Sequence, residues 1–278
     1  MQVRREGSRA GTRTITSLQN ERVKLIRSLE MRKARRETGL FVAEGTSLLL
    51  TAREAGWVPK LLAFLRGSEQ PPAATQFASW AERAGAECLE VSAAVLAKLA
   101  GKDNPQSMLG VYSQRWAGPP EAAAVAADAV WLALEAPRDP GNLGTIIRTI
   151  DAVAANGVVL IGQSCDPYSR EAVRASMGSI FNVPVVHMQA QDFLAWRARW
   201  PGDVVGTQLT ARQDFRRVGY RGPQLLLMGS EGPGLSGELA GAATRLVKIP
   251  MAGKLDSLNL AVATALMLYE MRKDRLRV

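Results

Sequence analysis

From Ala129 onward the chain alternates short apolar runs with longer stretches of helical periodicity, and this alternation restricts the fold more than any other feature. Val130–Leu134, Val158–Ile161, Val183–Val186, Asp203–Val205, Leu225–Met228 and Leu246–Ile249 have strand length and lie between turn-forming residues. Leu143–Ala154, Ser169–Ser176, Asp192–Trp200 and Leu258–Lys273 have helical spacing between them. Strands separated by helices pair through crossovers, so the pattern predicts an α/β fold with a mainly parallel sheet.

The residues before this region predict a separate, smaller α/β unit. A helix over 20–36 fits Val23, Leu25, Ile26 and Leu29, with Thr16 or Ser17 as its cap. Leu40–Val42 and Lys60–Phe64 read as strands. Residues 47–55 read as a helix stopped at Gly56, and 78–86 and 93–99 as two more. The expected organisation is a flexible basic arm at 1–14, a small α/β domain at 15–115, a Pro- and Ala-rich linker at 116–128, and a larger domain at 129–278.

Charge placement points to a polyanionic partner. The net charge is +9, and residues 1–36 carry eleven Arg or Lys against three Glu, a net +8. Arg22, Lys24, Arg27, Arg32, Lys33, Arg35 and Arg36 are the candidate phosphate contacts, since each neutralised phosphate releases counterions. The bland alternative is a solvated helix face beside an arm, and an arm of this composition also suits an organellar presequence.

Other classes are poorly supplied. No apolar run approaches the roughly 20 residues of a membrane span, so no membrane partner is expected. Cys88 and Cys165 lie far apart without a CxxC neighbour, which disfavours a disulfide scaffold or a thiolate metal site and fits a cytoplasmic location. His187 is the only histidine and reads as a packed or surface strand residue. No metal is expected, and any mechanism must run without a histidine base.

Three segments place special backbone residues and polar side chains after predicted strands, where open parallel sheets bind ligands. In Glu135-Ala-Pro-Arg-Asp-Pro-Gly-Asn-Leu-Gly-Thr-Ile-Ile-Arg148, Pro140 and Gly141 turn the chain, Asn142 can cap the helix, and Arg148 lies nearly two turns further on. Leu227-Met-Gly-Ser-Glu-Gly-Pro-Gly-Leu235 has glycines for close backbone approach, but its spacing is not the dinucleotide fingerprint. Glu231 would oppose a phosphate there and suits a cationic or neutral ligand. In Lys248-Ile-Pro-Met-Ala-Gly-Lys-Leu-Asp-Ser-Leu-Asn-Leu260, Asp256 or Ser257 starts a helix with Asn259 in its first turn. That helix is apolar on more than one face, which fits burial against both the sheet and a second subunit.

These segments, in this order and spacing, resemble the three signature motifs of the SpoU (TrmH-type) branch of the SPOUT RNA 2′-O-ribose methyltransferases. The resemblance covers about residues 129–273, and Cys165–Pro184 is similar to the family's segment between motifs one and two. Ser17–Gly110, including Phe41-Val-Ala-Glu-Gly45, is similar to the substrate-binding domain that precedes it in several rRNA enzymes. Asn259-Leu-Ala261 departs slightly from the Asn-Val-Ser of many relatives.

The resemblance implies a deep trefoil knot at the carboxyl end of the sheet, a homodimer, and S-adenosylmethionine as cofactor. It implies that backbone groups of Gly229, Ile249 and Leu258 hold that cofactor and that Met251 lines its pocket. It places Asn142, Arg148, Glu231, Ser257 and Asn259 in the polar active-site set. The expected activity is ribose 2′-O-methylation of RNA, with large-subunit rRNA favoured. A tRNA enzyme, a non-catalytic RNA-binding protein and a dehydrogenase-like α/β enzyme are the competing readings.

Overall fold

We describe the protein from a computed structural model covering residues 13–65, 72–100 and 107–277. The chain divides into two compact units, with the division between Ser113 and Gln114. The basic arm expected at 1–14 lies outside the described residues for 1–12, and Arg13–Ile15 forms the first strand, β1.

The first unit continues through α1 (Glu21–Ser28), α2 (Arg32–Thr38), β2 (Leu40–Glu44), α3 (Thr46–Glu54), β3 (Leu61–Leu65), α4 (Pro72–Arg83), β4 (Glu87–Val91), α5 (Ala93–Ala100) and β5 (Met108–Ser113). Its five strands are ordered β1-β4-β3-β5-β2, with β5 antiparallel to both β2 and β3. Val23, Ile26, Leu61, Leu89, Leu96 and Val111 lie in its core. Each fully buried aliphatic side chain contributes about 1.5–3 kcal/mol. The single helix expected over 20–36 is two helices, and Asn20, not Thr16 or Ser17, caps the first through its bond from Arg22 N. The break follows Ser28, where Arg35 Nη1 turns back to donate to the carbonyls of Leu29 (2.8 Å) and Glu30 (2.7 Å). Those carbonyls leave the helix satisfied, so the chain can restart at Arg32.

The second unit contains β6 (Val130–Glu135), α6 (Pro140–Ala152), β7 (Gly157–Ile161), α7 (Arg170–Ala175), β8 (Val185–Met188), α8 (Ala190–Arg197), β9 (Asp203–Thr207), β10 (Gln213–Asp214), β11 (Gln224–Met228), α9 (Gly237–Ala242), β12 (Arg245–Lys248) and α10 (Leu260–Arg272). Seven strands form one sheet in the order β10-β12-β9-β11-β6-β7-β8, and every pairing in it is parallel. The predicted parallel α/β sheet is therefore present. All five residues of β7 and of β11 are buried, as strands covered on both faces must be. Residues 114–128 belong to this unit, with Ala117 N donating to Val185 O and Trp196 Nε1 to Pro120 O.

Two devices lock the helices that carry the site. Gly144 lets α6 lie against α7, since a Cβ there would fall 2.3 Å from the Ala172 carbonyl oxygen. At the far end of α10, the buried Arg272 donates to the carbonyls of Val153 (3.1 Å), Asp128 (3.1 Å) and Ala154 (3.0 Å). One guanidinium thus pins the last helix to the end of α6 and the start of β6. Among the described residues no helix is long and apolar enough to cross a membrane.

Candidate functional site

The carboxyl ends of β9, β11 and β12 converge on a cleft of about 600 Å³. The loop after β11 forms one wall, and its geometry follows from glycine. Ser230 and Gly234 exchange backbone hydrogen bonds of 3.2 and 3.1 Å, folding the loop into a tight hairpin. That hairpin crosses Gly229 so closely that a Cβ would lie 1.9 Å from Gly234 C, which excludes every other residue. Ser236 N donates to Glu135 Oε2 at 2.7 Å, so a carboxylate at the end of β6 fastens the far end of the loop. The opposite wall comes from the segment after β12, with Ile249, Met251, Asp256, Ser257, Leu258 and Asn259.

A continuous hydrogen-bond chain joins the three segments. Asn259 Oδ1 accepts from Ala261 N (2.8 Å) and Val262 N (3.3 Å), leaving its amide to donate to Asn142 Oδ1 at 2.9 Å. Asn142 Nδ2 then donates to Glu231 Oε1 at 3.2 Å, and Glu231 Oε2 accepts from Arg138 N at 3.1 Å. Each partner fixes the next, so both amides have one allowed orientation. Burial alone would raise the Glu231 carboxyl. The backbone N–H groups of Glu231, Arg138 and Asp139 and the Asn142 amide outweigh that and hold it below the usual carboxylate range. Glu231 is therefore an ionised acceptor with its lone pairs engaged.

Two local assignments change. Asp139, not Asn142, caps α6, with Pro140 opening the helix. Asn142 lies inside the first turn, and that frees its side chain to reach Glu231 and Asn259. Asn259 is itself the cap of α10, one position before the helix, where Asp256 or Ser257 was expected to start it. Ala136 holds a left-handed backbone at the end of β6 (φ 44°), turning the chain into Pro137 and Arg138.

Gly229, Ile249, Met251, Leu258, Glu231, Ser257 and Asn259 line the cleft, and Asn142 joins it through two of them. Arg148 does not. It stands exposed on α6, about 240° around the helix and about 9 Å along it from Asn142. Its guanidinium has no acceptor among the described residues. Thr207, Gln208, Leu209 and Thr210 also line the cleft and were missed from the sequence. Their signal was their place after a strand, at the carboxyl end of β9. His187 is an exposed strand residue with Nε2 2.9 Å from Gly162 O, away from this chemistry. Neither cysteine is in a disulfide, and burial followed by the charge of Glu82 pushes the Cys88 thiol up to about 11. Among the described residues no group of three or more His, Cys, Asp or Glu is placed to hold a metal.

In the first unit the structure thins the expected basic surface. Arg35 is buried with its guanidinium on backbone carbonyls, so it is unavailable to a phosphate. Arg22 makes a forked pair with Glu87, at 3.0 Å for each bond. Lys24 pairs with Glu21 at 2.9 Å, and Lys33 with Glu37 at 3.9 Å. Arg27, Arg32 and Arg36 are exposed.

The sequence model of the SpoU rRNA Methylase family matches residues 129–269, and that of the MRM3-like substrate binding domain matches residues 20–110. An uncharacterized tRNA/rRNA methyltransferase of Synechocystis, slr1673, is 34% identical over 94% of this chain and 94% of its own length. The 23S rRNA (guanosine(2553)-2′-O)-methyltransferase RlmP of Bacillus subtilis is 29% identical over 93% of this chain and 98% of its own. The crystal structure of an AdoMet-bound rRNA methyltransferase from Sinorhizobium meliloti superimposes with a TM-score of 0.88. It is 41% identical and covers 96% of this chain and 99% of that one.

Proposed function

Because the chain belongs to the SpoU rRNA methylase family, we propose that it methylates the 2′-oxygen of a ribose in large-subunit ribosomal RNA, using S-adenosylmethionine and working as a homodimer in the cytoplasm. The observation that carries this reading is the bonded chain from Asn259 through Asn142 to Glu231 on the wall of a glycine-backed cleft. The RNA and the 2′-oxygen follow the relatives' activities and the match of the first unit to a substrate-binding domain.

The residues present fit the cofactor. The cleft falls within the roughly 300–1,000 Å³ of small-molecule sites. Its apolar lining from Ile249, Met251 and Leu258 suits a thioether chain and a purine, and Gly229, Ile249 and Leu258, whose backbone would hold the cofactor, all line it. When bound, S-adenosylmethionine supplies a methyl group on a positively charged sulfur. Glu231, ionised and fixed, complements positive charge at that wall.

The remaining work is alignment and charge. Ser257 and Asn259 line the cleft and are the groups assigned to meet the ribose hydroxyl, and Asn142 holds Asn259 in place. A guanidinium stays protonated in proteins, so Arg148 serves as a grip for a flanking phosphate and a stabiliser of charge on the 2′-oxygen, not as a base. Arg148 lies outside the cleft of its own chain, so a second copy supplies it. The surface that would meet that copy is already apolar. Val262, Leu266 and Tyr269 form an exposed stripe on α10, which packs against α6.

Transfer of tritiated methyl groups from S-adenosylmethionine to ribosomal RNA tests the reading, because a 2′-O-methyl blocks alkaline cleavage. The expected result is label in one alkali-resistant dinucleotide of the large-subunit RNA. Label on a base, or on tRNA alone, refutes it.

A further inference from the structure

Charge available to a polyanion is distributed differently from what a count along the sequence suggests. In the first unit's helical segment Arg22, Lys24 and Lys33 are paired and Arg35 is buried, as described above. In the second unit, the segment that forms the cleft wall at Thr207–Thr210 runs on into Arg212, then β10, then a turn of helix at Phe215–Arg217. It carries three arginines against the single acid Asp214, a net +2.

The three arginines are not equivalent. Arg216 is chelated by Asp214 through bonds of 3.1 and 2.6 Å, and this fork neutralises it. Arg212 and Arg217 are exposed and have no acceptor among the described residues. Neither lines the cleft itself, but both lie on the segment that continues from its wall. Arg212 follows Thr210 by two residues, a reach of about 7 Å. β10 runs parallel to β12 with Asp214 opposite Lys248, so Phe215–Arg217 leaves the sheet at the end from which Ile249 and Met251 enter the cleft. The Asp214–Arg216 fork and the buried Phe215 fix that turn, so Arg217 is presented from a rigid base.

From this placement we propose that Arg212 and Arg217 grip phosphates of the substrate RNA on the rim of the cleft, holding the strand in register for the ribose that enters it. The proposal rests on the RNA methyltransferase reading above. A ribose that enters the cleft brings its flanking phosphates to the rim, and two guanidiniums without a hydrogen-bond acceptor match a phosphodiester in charge and fork geometry.

The test compares the full-length chain with Arg212→Ala/Arg217→Ala and Arg212→Lys/Arg217→Lys, using a short labelled stem–loop RNA over a series of salt concentrations. Calorimetry with S-adenosylmethionine reports an intact cleft, and light scattering reports subunit mass. The alanine pair is expected to weaken RNA binding about tenfold and to flatten the slope of log K against log salt by about 1.4–1.8, with cofactor affinity and mass unchanged. The lysine pair should stay within about threefold of the wild type, since a point charge still meets a phosphate. A wild type that binds RNA beside an alanine pair of equal affinity and slope overturns the proposal alone. A wild type that binds the cofactor but no RNA overturns the functional reading and the proposal with it. An alanine pair that falls to monomers assigns these arginines to the subunit contact and also overturns it.

Discussion

Asn142 and Arg148 stand on the same helix and meet opposite surroundings. Asn142 faces a cleft in which every polar partner is present: its amide donates to Glu231 and its carbonyl accepts from Asn259. Arg148 faces outward beside α10, whose Val262, Leu266 and Tyr269 make an apolar surface exposed among the described residues. The cleft is built locally, by loop closure at Gly229 and two helix starts. The outer surface carries an exposed guanidinium and an exposed apolar stripe. On the reading proposed above, one copy binds the cofactor alone and a second copy completes the site for RNA.

The largest expected effect would destroy the cleft side. Gly229→Ala puts a methyl group 1.9 Å from the backbone of Gly234, which cannot move without opening the hairpin. Calorimetry should show cofactor affinity reduced by about 100-fold or more, equivalent to ~3 kcal/mol. Binding within a few-fold of the wild type would mean that the loop is not the cofactor's wall.

On the outer side, Arg148→Ala should lower methyl transfer by about 100-fold or more while leaving cofactor affinity unchanged. Arg148→Lys should be nearly as inactive, since lysine lacks the planar fork. A lysine variant whose activity recovers as pH rises would reassign the residue to proton abstraction. Val262→Glu together with Leu266→Glu should shift the mass in solution from dimer to monomer at micromolar concentrations. Cofactor binding by the monomers should persist if the cleft is complete in one chain. A double variant that stays dimeric places the interface elsewhere.

The smallest effect sharpens the electrostatics of the cleft. Glu231 is held below the usual carboxylate range, so its network is intact above that range and is lost as pH falls through the lowered value. Cofactor affinity should stay level from neutrality down through the ordinary carboxylate range and drop only below it, and Glu231→Gln should remove that acid limb. Titration of the wild type at the ordinary carboxylate position would break the link between Glu231 and its donors.

The sheet was legible in the sequence because β7 and Leu225–Met228 of β11 are apolar runs, and a strand buried on both faces reads that way. The short strands β4 and β10 carry charged or polar residues and gave no such signal. Within the site, residues after strands were found by position, yet Thr207–Thr210 were passed over because they contain neither glycine nor a charge. Asn142 and Asn259 were found as residues with their local roles misplaced. Asp139 and Asn142 both cap well, and only the three-dimensional meeting with Glu231 decides between them. Arg35 was miscounted for a related reason. Composition counts its charge, while its bonds to the carbonyls ending α1 lie outside anything the composition records.

The central claim, that each site joins the cleft of one copy to the Arg148 of another, is tested most directly by mixing two inactive variants. Arg148→Ala and Asn259→Ala chains are unfolded together, refolded at equal concentration, and assayed for methyl transfer to ribosomal RNA. In a mixed dimer one site would combine an intact Asn259 cleft with an intact Arg148, so the account predicts about a quarter of wild-type activity after random pairing. If each chain instead uses its own Arg148, both sites of every mixed dimer are damaged, and a mixture no more active than its parents would contradict the account.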